Sequence, residues 1–86
     1  MSLDEAARQL ELAAHDTQVA FDCIGLGDIE RAHTHAITAR AAADAAEAAL
    51  RIALTEIKTP EEAERAGEEA MQRLQREMSP QQASQP

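Results

Sequence analysis

Four side chains have the chemistry to bind a soft or borderline metal: His15, His33, His35 and Cys23. Zinc asks for four such ligands converging from fixed spacings. His33 and His35 are two apart, and on a helix they point about 160° from one another. In an antiparallel hairpin turning near residue 26, Cys23 falls opposite Glu30 and His15 opposite Thr38, so the four do not converge. His33 is expected to pack at an interface edge, and no metal or cofactor is expected. Glu-x-x-His spacing occurs once, as Glu30 and His33, whereas a dimetal carboxylate bundle needs two copies and further glutamates. Cys23 follows Asp22 near a helix C-terminus, which disfavours a reactive thiolate, and reads as a small core residue. No Ser-His-acid set has supporting context, and Gly25-x-Gly27 lacks the strand a nucleotide loop needs. No enzyme is expected.

The elements that must carry these residues are all helical. Ser2-Leu3-Asp4-Glu5 reads as a capping box, Asp28 as the N-cap of a second helix, and Thr59-Pro60-Glu61-Glu62 as a second box with proline at the first helical position. Gly25-Leu26-Gly27-Asp28 stops the first helix, Pro60 the second and Ser79-Pro80 the third. The spacing predicts an all-α, antiparallel three-helix bundle, with helices near 3–24, 29–58 and 60–78. Residues 1–78 make one domain, and the polar, proline-bearing stretch 79–86 is expected to be a flexible tail.

Heptads run through the first two helices. Leu3, Leu10, Thr17 and Ile24 alternate with Ala6, Ala13 and Ala20. Ile29, Ala36, Ala43, Leu50 and Ile57 alternate with Ala32, Ala39, Ala46 and Ala53. These ladders are expected to be the packing seams. The second helix is also apolar at Ala41, Ala45, Ala48 and Ile52, so it reads as a spine flanked by the other two. The third helix has a narrower stripe, Ala63, Gly67, Ala70, Leu74 and Met78, and is expected to fray first. Gly67 costs ~1 kcal/mol against alanine, which a close backbone contact with the second helix would explain.

The spacing of Ala20, Gly27-Asp28-Ile29, Ala32 and Ala39 resembles that of a tetratricopeptide hairpin. It is also similar to the first hairpin of MIT domains, three-helix bundles that bind helical peptides. The resemblance spans roughly residues 16–40. No second repeat follows, the second helix is about twice a repeat helix, and the large aromatic positions are absent, so it implies generic hairpin packing and assigns no family. Arg8 and His15 are similar in spacing to the Arg-x₆-His of HEPN-type helical ribonuclease domains. Arg8 is equally placed to pair with Asp4, Glu5 or Glu11.

Composition sets the functional expectation. Among 86 residues, 20 alanines face 17 larger apolar side chains, and Phe21 is the only aromatic. A core so poor in large side chains is marginal alone, and small domains commonly compensate by association. Net charge is −8, concentrated in residues 1–28, where six acids meet one arginine. That argues against direct nucleic-acid binding. No apolar run approaches the ~20 residues of a membrane span, and with no export signal and one cysteine the cytoplasm is expected. Heavy Ala and Arg usage beside a single Lys58 is the composition of a high-GC bacterial or phage genome.

The expected function is a non-catalytic helical interaction or assembly module, self-associating or binding a protein partner. Its candidate face is Leu12, Val19, Leu26, Ile37 and Leu54, of which the first three recur every seven residues. The alternative is a small acidic inhibitor, of phage or anti-defence type, occupying a basic groove through Asp4, Glu5, Glu11, Asp16, Asp22 and Asp28.

Overall fold

The computed structural model describes residues 2–78, and the tail expected over 79–86 lies outside them. Three helices follow in order: α1 (Ser2–Gly25), α2 (Ile29–Glu56) and α3 (Pro60–Glu77). No described residue is in a strand. The all-α three-helix bundle expected from the heptads and caps is what forms.

The punctuation works largely as its chemistry requires. Gly27 takes φ +74°, the left-handed conformation that closes a helix. The Gly27 amide donates to the Ile24 carbonyl at 3.0 Å and the Asp28 amide to the Cys23 carbonyl at 2.9 Å, the paired bonds of a Schellman stop. Asp28 then caps α2, its carboxylate accepting from the Arg31 amide at 3.2 Å. At α3, Thr59 Oγ1 accepts from the Glu62 amide at 3.1 Å, while Glu62 Oε1 accepts from the Lys58 and Thr59 amides, each at 3.0 Å. Those two backbone donors hold the Glu62 carboxyl below its ordinary range. The first expected box is different. Ser2 is already helical, and among the described contacts Glu5 accepts from Arg8 and Gln9.

α1 and α2 pack along nearly their whole lengths, but the seam is phased one residue away from half of the expected ladder. Ala6, Cys23, Ala32, Ala42, Ala46, Ala49 and Ala53 are buried, with Ala13, Ala20 and Ala39 half-buried. Along α1 the inward positions are therefore 6, 9, 13, 16, 20 and 23, and along α2 they are 32, 35, 39, 42, 46, 49 and 53. The alanine ladders face the seam as their spacing predicts. Their expected partners Leu10, Thr17, Ile24, Ile29, Ala36, Ala43 and Leu50 are exposed. Two helices lined by methyl groups approach closely, and a leucine at the seam would hold them apart.

The middle helix is α1, not α2. Among the described residues α3 packs on α1 and not on α2. α3 meets only the first turns of α1, where Ala7 and Ala70 are buried. Arg73 pairs with Asp4 there, and Arg8 Nε donates to Glu77 at 3.1 Å. On the wheel of α1 these contacts lie opposite the α2 seam, so the helices form a row. The molecule measures 47 × 40 × 14 Å, and 14 Å is close to the thickness of one helix layer. The expected second cover on α2 is absent among the described residues: Ala41, Ala45 and Ile52 are exposed and Ala48 half-exposed.

Gly67 does not serve a close contact with α2. A Cβ built there meets nothing within 4 Å. Gly67→Ala is therefore expected to raise stability by about 0.5–1 kcal/mol through helix propensity alone, read from urea or thermal unfolding. A loss of stability would show that the glycine is needed.

Candidate functional site

The α1–α2 seam contains one polar layer. Asp16 is the only buried charged residue among those described, at 5% exposure. His35 Nδ1 lies 2.8 Å from Asp16 Oδ1, and the ring is part-buried. With Nδ1 protonated, the imidazole donates to the carboxylate in either charge state. Asp16 Oδ2 is buried without a hydrogen-bond partner among the described residues. Such an oxygen costs free energy of about 1–3 kcal/mol. A polar pair in an alanine seam has a structural use, because methyl groups slide past one another at many registers whereas a directional bond is made at one.

The other ligand candidates stay apart. His15 and His33 are exposed on different helices, and Cys23 is buried near the turn. No group of three or more His, Cys, Asp or Glu side chains among the described residues is arranged to hold a metal ion. Arg8 is engaged by Glu5 at 2.7 Å and by Glu77. That ties it into the α1–α3 junction and away from His15.

The acidic set is distributed rather than displayed as one face. Asp4 pairs with Arg73, and Glu5 bonds Arg8 and Gln9. The amide of Gln9 and then the charge of Arg8 hold the Glu5 carboxyl below its usual range. Asp16 is in the seam, Asp22 accepts from Gln18 at 3.0 Å, and Asp28 caps α2. Glu11 is exposed.

The five apolar candidates do not form one patch either. Leu12, Val19 and Leu26 share one broad face of the layer, with Val19 half-buried. Ile37 is on the outer edge of α2, and Leu54 belongs to the opposite broad face. That opposite face is the more apolar one. Leu3, Leu50, Ala53, Leu54, Ile57 and Ala63 line a single pocket of about 450 Å³, which places the outward ladders of α1 and α2 on the same side of the seam. Leu10, Phe21, Ile24 and Ile29 continue that side toward the turn, all exposed.

The buried apolar side chains of the described chain are alanines and Cys23 alone. Twelve larger ones, from Leu50 at 38% to Leu54 at 80%, remain exposed. This surface was missed because large apolar residues in heptads were assigned to the seam. The signal against that assignment was the alanine at every second seam position, which already specified a gap too narrow for leucine.

Replacing Asp16 tests the polar layer. Asp16→Ala removes both the bond and the unpartnered oxygen and leaves a part-exposed His35 that water can reach. Unfolding is expected to show stability unchanged or higher by about 1 kcal/mol. A loss of about 2 kcal/mol or more would show that the pair is a net source of stability. No family model, curated protein or solved structure matches this chain.

Proposed function

We propose that this protein is a non-catalytic helical assembly module that self-associates through its exposed apolar surface. The carrying observation is the inversion of its apolar residues. Among the described residues the fully buried apolar ones are alanines and Cys23, whereas twelve large Leu, Ile, Phe and Met side chains are exposed and only Leu3, Val19, Ile57 and Leu74 are half-buried. Burying a leucine, isoleucine or phenylalanine contributes about 1.5–3 kcal/mol, whereas an alanine methyl contributes roughly 0.8. The chain thus uses its weakest apolar groups for its own fold and leaves the strongest for something else. Exposed apolar patches beyond a few hundred Å² mark interaction surfaces on soluble proteins.

The acidic-mimic reading has less behind it. Asp4, Glu5, Asp16 and Asp28 are engaged within the chain, so the charges of residues 1–28 are mostly committed to the fold. Among the described residues no helix is long and apolar enough to cross a bilayer.

Light scattering over a concentration and salt series tests the proposal. A dimer or larger species whose mass is insensitive to salt is expected, because apolar association is not screened. A monomer at every concentration would overturn it. An assembly that dissolves as salt rises would assign the contact to charges instead.

A further inference from the structure

We infer that the face carrying Leu10, Phe21, Ile24, Ile29, Leu50 and Leu54 receives a second copy of this chain, stacked antiparallel. The turn end of each hairpin then covers the open end of the other. This rests on the self-association reading and names its surface and geometry.

Three features of the face support a second copy. The first is phase. The outward ladders on α1 (3, 10, 17, 24) and α2 (29, 36, 43, 50) keep the seven-residue repeat that packing against further helices requires. The α1–α2 seam does not use that half of the repeat. Two hairpins stacked on these ladders make a four-helix arrangement.

The second feature is area. The six side chains are 38–80% exposed. With side-chain areas of about 150–200 Å² each, they present roughly 600 Å². A standard interface takes ~800 Å² per partner, and Leu3 with the flanking alanines lies in the same plane to supply the rest.

The third feature is self-complementarity. At the turn end Phe21, Ile24 and Ile29 project. Between the two ends the face is lined by the small residues Ala14, Thr17, Ala36 and Ala43, with Leu10 the one large side chain among them. At the open end is the apolar pocket of about 450 Å³. A two-fold axis lying across the helices sets projection over hollow twice, as a closed symmetric dimer requires. A two-fold axis along the helices would set projections against projections and leave both hollows empty. The α2 rim agrees in charge. Arg40 and Glu47 sit on either side of the midpoint of α2, so antiparallel stacking lays Arg40 of one copy alongside Glu47 of the other, which in its own chain already accepts from Arg51 at 2.7 Å.

Cross-linking and mass together test the face and its direction. In a Cys23→Ala background, Ile29→Cys and Leu54→Cys proteins are refolded separately and as a mixture, then treated with a short bismaleimide. Antiparallel stacking predicts a covalent dimer in the mixture and little in either protein alone. Efficient linkage of Ile29→Cys to itself would overturn the antiparallel geometry. Absence of linkage in all three samples would overturn the face.

In parallel, Ile29→Glu is expected to halve the scattering mass while helicity by circular dichroism is kept. The position is exposed, and glutamate suits the first turn of a helix. Leu12→Glu, on the other broad face, is expected to retain the assembled mass. An assembled parent dissociated by Leu12→Glu and not by Ile29→Glu would overturn this inference and leave self-association standing. A monomeric parent would overturn both.

Discussion

The width of the gap between α1 and α2 governs the rest of this structure. Methyl groups at Ala6, Ala13, Ala20, Ala32, Ala39, Ala42, Ala46, Ala49 and Ala53 line most of it, with Gln9, Asp16, Cys23 and His35 at the remaining inward positions, and no large apolar side chain is buried there. Each large apolar side chain in the hairpin must therefore point along the broad faces or edges of the layer. Flatness follows, because α3 packs on the far side of α1 instead of crossing both helices to close a third side. The fold and the proposed association have the same origin: a close helix pair built from small residues leaves the larger ones outside.

The same gap explains the weight placed on polar devices. Alanine contacts contribute modestly and specify register poorly. The chain meets this with a directional Asp16–His35 bond in the seam and a Schellman stop with Gly27 running into the Asp28 cap. A capping box at Thr59 and Glu62 sets the start of α3. The ion pairs from Asp4 and Arg8 to Arg73 and Glu77 hold α3 at one end of α1. The Arg8–Glu77 pair is about half exposed and contributes little by itself, whereas the Asp4 carboxylate is mostly covered where it meets Arg73, beside the buried Ala7 and Ala70.

The helix limits were legible because caps and stops are local chemistry. Gly27, Asp28, Thr59 and Pro60 act within one turn of where they stand. The alanine halves of both seams were legible for the same kind of reason, a repeat visible in the chain itself. What could not be read locally was the choice between positions 9, 16, 23 and positions 10, 17, 24 as their partners. That choice depends on how near α2 comes, a property of two helices together. The identity of the middle helix was hidden likewise, since α2 is more apolar by composition yet α1 has neighbours on both sides. Asp16 was read as part of an acidic surface because its partner His35 is 19 residues away. The candidate face mixed residues of opposite broad faces, Leu12 with Leu54, because their relative direction is fixed only once the hairpin closes.

If the exposed face is completed by a second copy, folding and association are linked, and the midpoint of thermal unfolding must depend on protein concentration. Unfolding followed by circular dichroism over a hundredfold concentration range is the most direct measurement. The account predicts a midpoint that climbs by roughly 5–10 °C across that range. A midpoint independent of concentration, with reversible unfolding throughout, would mean that the alanine seam sustains the chain alone and that the large apolar side chains outside it have no partner of their own kind.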